Sequence, residues 1–169
     1  RGFPNQCENL DDVGFTMNGG CAEQLVVPEG NCWNINALLP RFGNKKDAVL
    51  EAGAVIEPFT VAYNALFECA PRLKPGAYAT VFGAGSIGLA TIQLLKATGA
   101  SKIFVFEHHP QRREMATLFG ATHVHGVGGD AEAAHKIVLR ETGGAGADIQ
   151  VEAAGAFNHT VTEMELCAA

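Results

Sequence analysis

Residues 78–88, Tyr78-Ala79-Thr80-Val81-Phe82-Gly83-Ala84-Gly85-Ser86-Ile87-Gly88, decide how this chain is read. The first five are apolar and partly β-branched and are entered through the turn pair Pro75-Gly76, the pattern of a buried parallel strand. Glycines follow at once in the spacing G-x-G-x-x-G. Gly83 permits a tight turn out of the strand, Gly85 lets the backbone approach a pyrophosphate, and Gly88 lets the next helix pack close to the sheet. The spacing predicts that helix over 86–97. Its free N–H groups and the positive end of its dipole can receive a diphosphate without any basic side chain. A second apolar run, Ile103-Phe104-Val105-Phe106, ends in Glu107, placed where an acid accepts hydrogen bonds from a ribose diol.

A bare G-x-G-x-x-G arises by chance in a chain with twenty glycines. The strand before it, the helix after it, the second strand and the terminal acid together make residues 77–107 a dinucleotide-binding βαβ unit. The acid also bears on the cofactor. A carboxylate at Glu107 favours the free 2′-hydroxyl of NAD and repels the 2′-phosphate of NADP. Arg112 and Arg113 read first as solvated helix residues, with Arg112 the candidate to flank the adenosine.

A length of 169 residues suffices for a real core, and the net charge of −6 comes with no basic patch for nucleic acid. No apolar run reaches the roughly 18 residues of a spanning helix, and Arg1-Gly2-Phe3-Pro4 has no signal-peptide core. Cys7, Cys21, Cys32, Cys69 and Cys167 make an odd count without framework spacing, as expected of reduced thiols in the cytoplasm.

Before the central unit, residues 14–28 have hairpin chemistry, with Asn18-Gly19-Gly20 as the turn and 22–27 as the returning strand. Residues 31–36 and the Leu39-Pro40 region read as irregular. From Lys46 the apolar period becomes helical, and after Pro58 a second helix is expected over about 60–69, with Val61, Ala65 and Leu66 inward. After the central unit, helices over 111–119 and 131–141 alternate with strands over 122–125 and 148–152. Four strands separated by helices form a doubly wound parallel α/β pattern. Another helix is expected from Asn158 onward. The carboxyl end of the fourth strand runs into Ala153-Ala154-Gly155, where an open α/β sheet receives its ligand.

Gly19-Gly20-Cys21-Ala22-Glu23, the pair Glu57-Pro58, the Gly83–Leu89 turn and Thr142-Gly143-Gly144-Ala145-Gly146-Ala147-Asp148 resemble the zinc-dependent medium-chain dehydrogenases, nearly end to end. Glu57-Pro58 is most similar to the polyol branch of sorbitol, butanediol and threonine dehydrogenases, since the family's alcohol dehydrogenases usually have cysteine there. Residues 26–34 further resemble bacterial inosose dehydrogenases, which act on cyclitols. The resemblance implies NAD and zinc as cofactors, a polyol or cyclitol substrate, and a cytoplasmic homodimer or homotetramer. It also implies that 1–56 is a remnant of a GroES-like catalytic and zinc domain. Residues 57–169 would be a Rossmann NAD-binding domain with four of its six strands. The family's cysteine and histidine–glutamate zinc ligands would precede Arg1, so the sequence resembles an internal piece of a longer enzyme, inactive by itself.

Each candidate residue also has a plainer reading. Cys7, by resemblance the fourth ligand of a structural zinc, is otherwise an ordinary thiol. Glu57, by resemblance a ligand or neighbour of the catalytic zinc, is otherwise a first-turn acid favoured by a helix dipole. Ile87 is helix-packing core, though the resemblance would press it against the nicotinamide. His108-His109 are loop histidines beside an adenosine site, and His123-x-His125 has strand spacing rather than a metal-site pattern. Two rivals remain: a zinc-free, NADP-dependent quinone reductase, which gives no reason for Cys7, Glu57-Pro58 and Glu107 to occur together, and an inactive nucleotide-binding module.

Overall fold

The structure, a computed structural model, describes residues 7–69, 73–126, 130–155, 164 and 167. The chain divides into two compact units, residues 1–49 and 50–169.

The second unit is built on β1 (Tyr78–Phe82), β2 (Lys102–Phe106), β3 (His123–His125) and β4 (Ile149–Glu152). All pairings are parallel, and the strand order is β3-β2-β1-β4. Side chains alternate across this sheet because successive residues of a strand face opposite ways. Ala79, Val81, Ile103, Val105 and Ile149 form one core with Ile92, Leu95 and Ala116. Helices α3 (Ser86–Thr98) and α4 (Pro110–Phe119) lie on that face, and Leu66, from the helical segment before β1, joins the same core. Phe82, Phe104 and Phe106 form the other core with Ala134 and Val138 of α5 (Ala131–Thr142). Burial on both faces is why β1 and β2 are near-continuous apolar runs. The doubly wound parallel arrangement expected from the alternation of elements is therefore present.

Local chemistry sets the helix starts. Pro110 opens α4, where a missing N–H is harmless. Asp130 caps α5 by accepting the Ala133 N–H at 3.0 Å.

Strand order places the site. From β1 the chain steps to β2 and β3, then crosses back so that β4 lies on the other side of β1. The reversal opens a crevice at the carboxyl ends of β1 and β4.

Among the described residues two α-helices precede β1: α1 (Lys46–Ala54) and α2 (Ile56–Tyr63), the latter continued by a π-turn over Asn64–Glu68. The second helix thus begins four residues before its expected start. Pro58 sits inside the first turn, where it breaks no hydrogen bond. The earlier start and the wide turn alter which residues face inward: Ala62 and Leu66 are buried, whereas Val61 is 44% exposed. Ala65 is only partly buried.

In the first unit the expected hairpin over 14–28 does not form. The Asp12 carbonyl accepts the N–H groups of Phe15, Thr16 and Met17, and the Thr16 hydroxyl accepts the Asp12 N–H at 2.7 Å. The chain turns there, ahead of Asn18-Gly19-Gly20, and leaves one isolated bridge between Val13 and Met17. Short-range bonds to one carbonyl outcompete a two-stranded ribbon, which is marginal without a third strand. The Leu39-Pro40 region, expected to be irregular, lies within a 3-10 helix over Asn36–Phe42. The helix expected from Asn158 starts outside the described residues.

Candidate nucleotide-binding site

Gly83 leaves β1 with φ +92°. A side chain there would be strained whatever the space, and the space is also absent. A Cβ would lie 2.7 Å from the Ala153 carbonyl oxygen and 2.8 Å from the Ala154 nitrogen. The glycine therefore serves a turn and a close approach of the β4 end at once. Its N–H is held by the Phe106 carbonyl at 2.8 Å, and the Ala153 N–H is held by the Phe82 carbonyl at 2.8 Å. Gly88, one turn into α3, is packed against this same turn: a Cβ would collide with the Gly83 carbonyl oxygen and touch Ala153. Gly85 differs from both. Nothing lies within 4 Å of where its Cβ would be, so the missing side chain leaves open space before the helix.

That space is bordered by donors. Gly85 is the N-cap of α3 and makes no side-chain cap bond, so the first amides of the helix are without a capping side chain. Ser86 is exposed and Ile87 and Gly85 are partly buried. This uncapped end beside an open glycine suits a diphosphate, so the residues present fit a dinucleotide.

Glu107 follows β2 directly and is 5% exposed. One carboxylate oxygen accepts the Ala84 N–H at 2.8 Å. The other accepts the His109 N–H at 2.8 Å, and Arg112 lies 3.9 Å from the first oxygen. A carboxylate has about four acceptor positions, so two remain for a ribose diol. Burial raises the Glu107 pKa, but the hydrogen bonds from His109 and Ala84 and the charges of Arg112 and His109 together outweigh it and hold the pKa below its ordinary 4.5. A depressed carboxylate stabilises the fold fully above its ordinary pKa, and that contribution is lost as pH falls through the lowered folded value. The melting-temperature gap between the native protein and Glu107→Gln should therefore be constant from pH 8 to about pH 5 and shrink below pH 4. A gap already closing near neutrality would mean that Glu107 is not held ionised.

Ala153, Ala154 and Gly155 follow β4 and lie directly beside the glycine turn, because Glu152 pairs with Phe82 in the sheet register. The Ala154 and Gly155 N–H groups both donate to Glu152 Oε1, at 2.8 and 2.9 Å. Glu152, three residues before Gly155, carries no motif that marks it in the sequence, and its role in shaping this turn comes from these two bonds.

Residues 86–168 match the family described as zinc-binding dehydrogenase. The chain belongs to the zinc-dependent medium-chain dehydrogenases. Within this group it is 38% identical over 155 residues to scyllo-inosose 3-dehydrogenase of Thermotoga maritima, covering 92% of this chain and 38% of that protein. It is 36% identical over 149 residues to L-threonine 3-dehydrogenase of Caldanaerobacter subterraneus, covering 88% of this chain and 39% of that one. A Thermotoga maritima protein solved as a candidate alcohol dehydrogenase superposes with a TM-score of 0.84 at 35% identity, over 97% of this chain and 40% of that one. The chain thus spans well under half the length of these dehydrogenases.

The medium-chain dehydrogenase's metal donors are a separate matter. Among the described residues no three His, Cys, Asp or Glu side chains are grouped so as to hold an ion. Glu57 is exposed in the first turn of α2, and Cys7 is exposed. Each is a single donor, so the described residues do not by themselves fit a zinc ion. The two strand histidines, His123 and His125, pack against aromatic rings. The His123 ring lies on Phe104 at 4.7 Å and its Nε2 is 3.5 Å from Glu141, while His125 stacks on Phe106 at 5.9 Å. No described helix is long and apolar enough to cross a membrane.

Proposed function

We propose that this dehydrogenase takes a hydride from a secondary alcohol of a polyol or cyclitol and passes it to NAD. Glu107 carries the cofactor reading. It is a buried carboxylate held ionised at the end of β2, with acceptor positions left over, and a 2′-phosphate brought beside it would be repelled. The bound nicotinamide supplies the hydride acceptor. The amides at the start of α3 hold the diphosphate, with Gly83, Gly85, Ser86, Ile87 and Gly88 shaping the turn beneath it. Ala153, Ala154 and Gly155 form the opposite wall, Ile87 presses on the ring, and Arg112 flanks the adenosine. The substrate class is supported by relatives named for scyllo-inosose, threonine and (R,R)-butanediol. On the same resemblance, residues 1–56 belong to a GroES-like catalytic domain, residues 57–169 to the NAD-binding domain, and the protein is a cytoplasmic homodimer or homotetramer.

Steady-state kinetics with polyols and cyclitols test the reading. Catalytic efficiency should be at least about tenfold higher with NAD than with NADP, a difference of about 1.4 kcal/mol in transition-state binding. Equal efficiencies would overturn it.

Zinc is supported by the family, and its proposed donors here are Glu57 for the catalytic ion and Cys7 for a structural one. Glu57→Gln in the protein as its gene encodes it should lower zinc retention and turnover, on the order of tenfold for a metal-neighbour change, with NADH affinity unaltered. Unchanged zinc content and turnover would return Glu57 to a helix-dipole role.

A further inference from the structure

Arg112 and Arg113 are sequence neighbours with different surroundings. The Arg112 side chain is 55% exposed and reaches toward the Glu107 carboxylate. Arg113 is partly buried, and its Nη1 donates to two consecutive main-chain carbonyls, those of Glu107 at 3.0 Å and His108 at 2.6 Å. The peptide unit joining His108 to His109 is planar and trans, so its C=O and N–H point in opposite directions. Holding the His108 oxygen therefore aims the His109 hydrogen, and that hydrogen goes to Glu107 Oε1 at 2.8 Å. Beneath the guanidinium lies Gly126, just past β3. A Cβ on Gly126 would stand 3.0 Å from Arg113 Nη1 and 3.3 Å from its Cζ, so the glycine leaves a bare floor on which the guanidinium rests.

We propose that Arg113 is a positioning residue for the dinucleotide site: it clamps the turn after β2 so that the His109 amide orients the Glu107 carboxylate, and Gly126 leaves room for the clamp. The proposal rests on the NAD reading above. It assigns Arg113 no contact with the cofactor. A long cation that satisfies two carbonyls is also more than a solvated helix residue, the role its sequence position suggests.

The test uses the protein as its gene encodes it, with Arg113→Gln, Arg113→Lys, Gly126→Ala and the double variant Arg113→Gln/Gly126→Ala. For Arg113→Gln, KM for NAD and Kd for NADH should rise about five- to tenfold with kcat within about twofold. Arg113→Lys, which can reach one carbonyl but not fork between two, should fall between. Gly126→Ala should weaken NADH binding in the native background and add nothing in the Arg113→Gln background, because its only effect is to displace the guanidinium. Amide hydrogen exchange at His109 should speed about tenfold in Arg113→Gln while the amides later in α4 keep their rates. Unchanged exchange at His109, NADH binding as tight as in the native protein, or equal effects of Gly126→Ala in both backgrounds would each overturn the proposal. If the native protein bound no NADH, the dehydrogenase reading would fall, and hydrogen exchange at His109 would still decide the clamp. Should Arg113→Gln fail to fold, Arg113→Lys and Gly126→Ala carry the same comparisons.

Discussion

Gly88→Ala abolishes nucleotide binding and lowers the stability of the second unit by about 2–3 kcal/mol, the penalty of overpacking a site that cannot relax. The sign is not obvious, since alanine is favoured over glycine in a helix by about 1 kcal/mol. Sterics decide it. The new methyl would overlap the Gly83 carbonyl oxygen and stand 3.0 Å from its carbon, and both partners are anchored. Helix α3 cannot withdraw because Ile92 and Leu95 are fully buried beneath it. The turn cannot withdraw because Gly83 is bonded to Phe106 and abuts Ala153. For a chain of this size the melting temperature should fall by about 5–10 °C, measured by calorimetry beside an NADH titration. Gly85→Ala is the informative control: its φ is −76° and its Cβ would meet nothing, so stability should hold while the diphosphate is blocked. A Gly88→Ala protein that binds NADH normally would mean that the turn is looser than its hydrogen bonds imply.

Glu107→Ala should act on stability and specificity together. It leaves the N–H groups of Ala84 and His109 without their acceptor, and an unsatisfied buried donor costs about 1–3 kcal/mol. A loss of about 2–4 kcal/mol is expected, less where water enters the vacated space. Removing the acceptor of the ribose diol should cut catalytic efficiency with NAD by about tenfold while relieving the repulsion of a 2′-phosphate, so that the gap between the cofactors narrows. Efficiency with NAD that survived the change would make Glu107 purely a brace for the glycine turn.

Both effects centre on side chains whose type was legible in the sequence and whose bonding was not. Gly83, Gly85 and Gly88 announce a turn by spacing alone, but nothing in the spacing says that Gly83 is bare because the Ala153 carbonyl lies against it. Glu107 ends an apolar run and so invites a ribose. That it also braces Ala84 and His109 required the two loops to be brought together. Arg113 looked like one more solvated cation because its partners are backbone carbonyls, which every sequence contains.

The sequence alone determined what depends on neighbours a few residues apart: the apolar runs of β1 and β2, the helical period of α3 to α5, and the glycine turn between them. Local sterics and hydrogen bonding decide such features before any long-range contact forms. The same short-range logic misled where a competing local bond was unread, as at Asp12, whose carbonyl gathered three amides and displaced the expected hairpin. Only the tertiary structure decided the order β3-β2-β1-β4, the crevice at the reversal beside β1, and the contacts of Gly83 with Ala153 and of Arg113 with Gly126. These join residues distant along the chain. Which of them meet depends on how two apolar sheet faces are covered at once, a condition that the whole unit satisfies and no single segment encodes.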